Sequence, residues 1–326
     1  RRQRQMCIRD RDIKRMLGTV PVEEDGSVIF KAPANTPISI QPLDKDGVAI
    51  QWMRSWVTGQ PGEVVSCIGC HEDQNLIAIP KRVIASQKAP SALTLPEGGT
   101  RSFTFDLEVQ PILDRACIAC HNGEGKAFDL RGGKKDKLGY GTSYLNLHPY
   151  VHRQGGEGDM VVLQPYEYHP NTSELVRLLK KGHHNVKLTD KEWKTLYNWI
   201  DYNAPDKGYF NANVLTDLPY KGFDQIKRRK ELTDKYANGA GVDWKKEIAD
   251  YADYLKKQGP ITPVMPEKAA PVKEKTLKVK GWPFGADRIK EMLAKEKETR
   301  KVVEIAPGVK VNFVRIPAGE FVMGSY

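Results

Sequence analysis

Four of the chain's 5 cysteines lie in two identically spaced motifs, and each motif is followed directly by a histidine. The two sets are Cys67, Cys70 and His71, and then Cys117, Cys120 and His121. On a helical turn, positions i, i+3 and i+4 share one face. Two thiols on that face can bond to the vinyl groups of one haem, and the adjacent histidine then supplies an axial nitrogen to the iron. The spacing therefore predicts two covalently attached haem c groups.

Two other kinds of site also use paired cysteines. Two Cys-x-x-Cys pairs can form a Cys₄ zinc site, but the stretch between such pairs is usually about 15–20 residues. Here 46 residues separate Cys70 from Cys117. A redox dithiol is the other alternative, and it explains neither adjacent histidine. Because haem c is normally attached outside the cytoplasm, the motifs also predict a periplasmic or otherwise extracytoplasmic protein.

The second haem iron needs a sixth ligand, and several histidines could supply it. The candidates are His148, His152, His169, His183 and His184. The last two follow one predicted helix and precede another, where many small cytochromes place a distal methionine, and the sequence has no methionine between Met160 and Met265. We predict a bis-histidine iron, which has a lower potential than a His/Met iron, with His183 favoured over His184. The alternative for this pair is an exposed surface loop.

No distal histidine stands out for the first haem. Met53 is close in sequence and is either a ligand or a core residue of a strand. Arg54 either contacts a haem propionate or forms a surface ion pair. A vacant or weakly held sixth position is what a haem enzyme needs, so catalytic residues stay unassigned.

Length and composition limit the number of domains and the kinds of partner. A chain of 326 residues predicts about two domains. Its 51 Lys and Arg against 41 Asp and Glu give a net charge of +10, but the basic runs carry no interleaved stacking aromatics. Solvated faces are therefore favoured, and no nucleic-acid partner is predicted. No run of 18 apolar residues occurs, so no transmembrane segment is predicted in this fragment.

The elements around the motifs predict a mixed fold. A small antiparallel β-rich domain over residues 12–80 ends in the first motif, with hairpin turns at 23–26 and 44–47. Short strands joined by Asp-Gly turns favour a small sandwich. A linker rich in proline and glycine over 81–102 then leads to an all-α cytochrome c-like domain over 103–215.

Three helices are expected around the second motif. Pro111 suits the first turn of the helix that carries Cys117. A second helix over about 173–181 ends at the capping glycine Gly182. The third begins at a capping box formed by Thr189 and Glu192.

The remaining segments are a leader, a charged linker and a new domain. Residues 1–11 contain QMCIRDR, which looks like translated adapter sequence and predicts a non-native leader, the alternative being an ordinary basic N-terminus. Residues 216–300 predict a charged linker with helices over 243–257 and 287–301 and an extended stretch from 260 to 271. Apolar alternation and a Pro-Ala-Gly turn over 301–326 predict the truncated start of a further domain, so we expect a fragment.

Three parts of the chain resemble known families. Residues 18–75 resemble the middle region of the hydrazine synthase alpha subunit, notably in 18–27, 53–55 and 66–72. Residues 107–210 resemble the cytochrome c domain that follows in planctomycete-type multidomain cytochromes, notably in 109–113, the second motif, 128–132, 182–184 and 199–205. Residues 315–325 resemble the opening of a formylglycine-generating-enzyme (sulfatase-modifying factor) domain.

The resemblance implies a first haem that can be catalytic and a second, bis-histidine haem that relays electrons. In hydrazine synthase a tyrosine four residues after the first motif histidine holds the iron, and that histidine serves a zinc. Here the position is Asn75, which offers no phenolate. Hydrazine synthase also lacks the formylglycine-type domain, so a relative that shares the haem module is expected.

The leading hypothesis is a dihaem c-type cytochrome module that passes electrons to a redox partner protein. The first alternative is a haem redox enzyme with substrate chemistry at the first haem and the second haem as its electron feed. The second alternative is a haem-stabilised scaffold that presents a C-terminal binding domain.

Overall fold

The computed structural model describes residues 14–53, 56–68, 82–125, 127–137, 139–153, 164–208, 225–236, 243–267, 285–295 and 300–314. These residues belong to two compact units, Arg1–Lys268 and Ala269–Tyr326. The fold is mixed, with helices and two small antiparallel sheets. None of the described helices is long and apolar enough to cross a bilayer.

Most of the regular elements in the described part of the first unit are helices. Its helices are α1 (Phe105–Glu108), α2 (Gln110–Ala116), α3 (Thr142–Leu147), α4 (Glu174–Lys180), α5 (Asp190–Asp201), α6 (Gln225–Tyr236) and α7 (Trp244–Lys257). Strand β1 (Arg15–Met16) pairs antiparallel with β2 (Arg101–Ser102).

Aromatic side chains tie α1, α3 and α5 together. The Phe105 ring lies 5.3 Å from the ring of Tyr144 and 5.3 Å from that of Trp199, and all three side chains are fully buried. Tyr144 donates its hydroxyl hydrogen to the carbonyl of Ala204, and the Trp199 indole N–H donates to that of Pro205. The polar ends of the buried aromatics are therefore satisfied, as a stable core requires.

Three helices form around the second motif as predicted, but the first of them ends at Ala116 and does not carry Cys117, Cys120 and His121. Pro111 lies in the first turn of α2. After α4 the chain turns at Gly182, where φ is +96°. Both reciprocal hydrogen bonds of the capping box between Thr189 and Glu192 are present at the start of α5.

The antiparallel sandwich predicted before the first motif is not what the structure shows. Both predicted turns form, with Gly26 N–H donating to Glu23 and Gly47 N–H donating to Asp44. Around these turns, however, the described residues between 17 and 65 are extended and make only isolated bridges. These pair Thr19 with Thr94, Phe30 with Ser91, Ile38 with Val57 and Leu43 with Ala49.

Proline spacing and exposure explain this difference. Prolines at positions 21, 33, 37 and 42 remove backbone donors that a continuous ladder would need. Several apolar side chains that should face a second sheet are exposed instead, including Val22 at 57%. The alternating pattern predicted strands where the described residues form extended chain with isolated bridges.

The extended N-terminal chain packs directly on the helices. Val48 is 1% exposed and belongs to the same core as Trp199. The Ala49 N–H donates to a carboxylate oxygen of Asp201 at 2.9 Å, and the Gln41 amide donates to the Asp201 carbonyl at 3.1 Å. Burial raises the pKa of the Asp201 carboxyl to about 7. The regions predicted as a β-rich domain and a cytochrome-like domain therefore share one core.

Helix α7, predicted over 243–257, is held by a buried ion pair. Arg101 and Glu108 are 6% and 7% exposed and approach to 2.6 Å. The Tyr251 hydroxyl donates to the second oxygen of Glu108 at 3.0 Å, and the Arg101 guanidinium lies 3.4 Å from the Tyr251 ring centre. The boundary predicted at residues 215 and 216 thus falls within the first unit.

The second unit contains α8 (Ala286–Ala294) and a hairpin of β3 (Arg300–Ala306) and β4 (Val309–Val314). The helix predicted over 287–301 is too long, because Arg300 and Lys301 lie in β3. The β-branched residues from Val302 onward favour a strand. The predicted Pro-Ala-Gly turn and the formylglycine-type stretch lie outside the described residues.

Candidate functional site

The second motif lies in a tight turn directly after α2, not within the helix as predicted. Cys117 is the C-terminal cap of α2, and its φ of −121° ends the helix. The Cys120 and His121 N–H groups both donate to the Cys117 carbonyl, at 3.1 and 2.9 Å. These two hydrogen bonds keep Cys117, Cys120 and His121 within one turn of the chain, as the motif requires. Cys117 is half-buried and Cys120 is exposed, and both are free thiols.

His121 is oriented by the loop that follows it. The His121 ring Nδ1 lies 3.1 Å from the Phe128 carbonyl oxygen, and the Leu130 N–H donates to the His121 carbonyl at 2.9 Å. The Phe128 ring also lies 4.7 Å from the His121 ring. A hydrogen bond from Nδ1 to a carbonyl sets the tautomer that leaves Nε2 free to bind a metal.

The second imidazole at this place belongs to His183. The ring centres of His121 and His183 are 6.1 Å apart, with an interplanar angle of 35°. A metal–imidazole bond is about 2.0 Å, so two rings bound to one metal from opposite sides have centres about 6 Å apart. The gap is also wide enough for a flat macrocycle between the rings.

The protonation state of His183 suits a ligand. Burial, with smaller effects from His184 and His121, lowers the pKa of the His183 imidazole. The neutral imidazole is the form that coordinates iron. His183 can therefore bind a metal without first losing a proton at neutral pH.

The turn that presents His183 is conformationally strained. Gly182, His184 and Asn185 have φ values of +96°, +45° and +63°. Non-glycine residues with positive φ carry an energetic cost and cluster at functional sites. His184 is exposed, and its ring packs edge-on against His183 at 4.6 Å. The arrangement favours His183 over His184 as the residue that faces His121.

The other three candidate histidines lie elsewhere in the described structure. Burial lowers the pKa of His148 to about 3, and its ring packs on Tyr144. His152 bonds to the Thr172 hydroxyl at 2.7 Å. His169 is 6% exposed and lies 3.5 Å from the Asp44 carboxylate, at the junction with the N-terminal chain.

The chemistry of these groups fits a haem. Two free thiols on one turn can form the two thioether bonds, and the imidazoles of His121 and His183 can fill both axial positions. A haem iron takes four nitrogens from its porphyrin, so two protein ligands complete it. Among the described residues no group of three or more metal-ligating side chains converges.

The redox-dithiol alternative is less consistent with this site. Burial raises the pKa of the Cys117 thiol to about 12. Reactive cysteines of redox motifs have a lowered pKa because the thiolate is the nucleophile. Cys117 is therefore a poor dithiol nucleophile in this environment.

The first motif is described only at its first cysteine. Cys67 is exposed, whereas Cys70, His71, Arg54 and Asn75 lie outside the described residues. The Met53 sulfur accepts a hydrogen bond from the Ile40 N–H at 3.4 Å, which agrees with a structural role for this methionine. The geometric argument for a haem therefore concerns the second motif.

Two contributors to the site were missed from the sequence. The Phe128 carbonyl orients His121, and no sequence signal marks a backbone acceptor. Arg115 bonds through its guanidinium to Glu192, and it also donates to the Lys187 carbonyl at 3.1 Å. The sequence did offer a signal for the bond between Arg115 and Glu192. A basic residue stands two positions before a motif cysteine, and an acidic residue stands in the capping box.

Comparison with known proteins gives one match. The family model of the hydrazine synthase alpha subunit middle domain matches residues 2–72, about a fifth of the 326 residues. The predicted resemblance of the N-terminal region to this family is thereby confirmed. The match ends directly after His71 and so includes the whole first motif. No curated protein and no solved structure matches the chain.

Proposed function

We propose that this chain is a dihaem c-type cytochrome module that transfers electrons outside the cytoplasm. The observation that supports it best is the pairing of His121 and His183, at 6.1 Å, beside the free thiols of Cys117 and Cys120. The first haem rests on the identical spacing of Cys67, Cys70 and His71. A redox partner protein outside the cytoplasm is part of the proposal.

The protein residues have separate tasks in this module. Cys117 and Cys120 would anchor the macrocycle through thioether bonds, and His121 and His183 would supply the two protein ligands of the iron. When bound, the haem supplies a one-electron couple between ferrous and ferric iron. With His121 and His183 both available to the iron, no position would be left for a substrate, which favours electron transfer over substrate chemistry at this iron.

Mass and absorption spectra of protein matured in a competent host test the proposal. We expect the mass of two attached haems and a low-spin spectrum for the second. His183→Ala should turn the second haem high-spin, while the matched variant His184→Ala should leave it low-spin. A protein that matures without haem, or with zinc bound to the cysteines, contradicts the proposal.

The same variants separate the distal ligands. If His183→Ala stays low-spin and the double variant with His184→Ala becomes high-spin, His184 replaces the missing ligand. If neither the single nor the double variant changes the spectrum, the distal assignment is wrong.

A second candidate is a haem enzyme with substrate chemistry at the first haem. The family match favours it, because that match covers the first motif through His71. Electron paramagnetic resonance separates the candidates: one high-spin and one low-spin iron supports the enzyme, whereas two low-spin irons support pure electron transfer.

A further inference from the structure

The stretch after α7 bonds to the end of α2 and to the turn that carries His183. Residues 260–267, hereafter the strap, belong to the stretch predicted as an extended linker over 260–271, and the described part is extended. Gly259, with φ of +92°, turns the chain out of α7, and its N–H donates to the Lys256 carbonyl at 3.2 Å. The buried contacts of Tyr251 hold α7, so they also fix the point from which the strap starts.

The first anchor of the strap is at the end of α2. The Val264 N–H donates to the Arg115 carbonyl at 2.7 Å. The last carbonyls of a helix have no partner within the helix. The Val264 N–H satisfies one of these carbonyls, that of Arg115. Arg115 lies two residues before Cys117, in the segment that leads into the thiols and His121.

The second anchor is at the turn that presents His183. The Asn185 side-chain amide donates to the Glu267 carbonyl at 3.3 Å. Asn185 follows His183 by two residues and itself has a positive φ of +63°. The strap therefore bonds both to the segment that leads into His121 and to the turn that carries His183, the two histidines whose ring centres are 6.1 Å apart.

We infer that the strap is a positioning element for the second haem, which holds the His183 turn against the end of α2 and slows release of the distal imidazole. This inference rests on the proposed function, since it concerns the ligands of the same iron. Arg115 acts in parallel through its own bonds to Glu192 and Lys187.

Carbon monoxide binding to the reduced full-length protein measures the effect. Carbon monoxide can bind a six-coordinate haem only after an axial ligand leaves, so the binding rate reports how often His183 is released. The kinetic component that His183→Ala changes belongs to the second haem.

The decisive variant is Val264→Pro, which removes the N–H that bonds to Arg115, while the accompanying changes in side chain and backbone freedom are matched by a control. Its matched control is Ile261→Pro, because both positions follow a proline in the same extended segment and the Ile261 N–H makes no backbone hydrogen bond to any residue that the structure describes. We expect binding about fivefold faster in Val264→Pro, as for loss of one net hydrogen bond. The control should stay at the wild-type rate, and equal rates in the two variants overturn the inference.

A second variant covers the case in which Val264→Pro does not fold. Asn185→Gly removes the other anchor, and glycine accepts the positive φ at this position. About fivefold faster binding is again expected, and a rate within twofold of wild type counts against the strap.

Hydrogen exchange separates this inference from the proposed function. The amides of residues 183–186 should exchange faster in the strap variants whether or not haem is attached. If the wild-type protein carries no second haem but the variants still exchange faster, the function fails while the strap stands. Unchanged exchange in both variants refutes the strap.

Discussion

At the residue scale, backbone conformation gives two adjacent histidines different surroundings although their side chains are chemically identical. His183 is half-buried and faces His121, whereas His184 is exposed and adopts a left-handed conformation with φ of +45°. The position before α5 selected the pair of His183 and His184 but gave no physical reason to prefer one over the other. The structure adds a physical reason, because the strained backbone at 184 and 185 turns the side chain of His183 inward.

Replacing His184 by glycine should stabilise the protein. A left-handed residue with a side chain costs about 1–2 kcal/mol, and the larger entropy of unfolded glycine offsets about 0.4–1 kcal/mol of that gain. We expect His184→Gly to raise the free energy of unfolding by about 0.5–1 kcal/mol in urea titrations. The spectrum of the second haem should not change, and a shift to high spin would instead identify His184 as a ligand.

At the scale of elements, the helices near the site were predictable because their end signals are local. Pro111, Gly182 and the Thr189–Glu192 capping box each act within one turn. The prediction of a sandwich failed because strand pairing depends on distant partners, and because prolines interrupt the ladder. The end of α2 at Ala116 was also missed, since Val264 and not a nearby residue satisfies the Arg115 carbonyl.

The capping box of α5 should carry a measurable part of the stability. The Thr189 hydroxyl accepts from the Glu192 N–H at 3.3 Å, and the Glu192 carboxylate accepts from the Thr189 N–H at 2.7 Å. Thr189→Ala should lower the free energy of unfolding by about 1 kcal/mol. Thr189→Ser keeps the hydroxyl and should stay within about 0.5 kcal/mol of wild type. Equal losses in both variants would mean that the threonine methyl, not the cap, supports α5.

At the scale of the whole first unit, a buried carboxyl joins the N-terminal chain to the helices. Asp201 is 3% exposed and accepts from the Ala49 N–H, and the Trp52 side chain also bonds to it. Neither the burial nor the partners of Asp201 could be read from the sequence, because they come from segments about 150 residues apart. This junction places the family-matched segment on the core of the helical region.

The stability of this junction should depend on pH. Burial raises the pKa of Asp201 from an ordinary 3.8 to about 7, so between these values the folded protein holds a proton that the unfolded chain releases. The free energy of unfolding should therefore fall as the pH rises from about 4 to 7, and then level off.

Asp201→Asn should remove this part of the pH dependence. At pH 8 the variant should be more stable than wild type by about 2–4 kcal/mol, and near pH 4 the two should be similar. Chemical denaturation across this pH range makes the comparison, with the exposed Asp190→Asn of the same helix as control. An unchanged slope in Asp201→Asn would show that another group titrates.

The buried pair of Arg101 and Glu108 also determines how far the protein can be shortened. A fragment that stops at residue 215 would lack Tyr251, which covers this pair, and would admit water to two charges that are now almost completely enclosed. A shortened protein that contains the second motif should therefore extend through Glu267, although the charged composition after residue 215 suggests a much earlier truncation point.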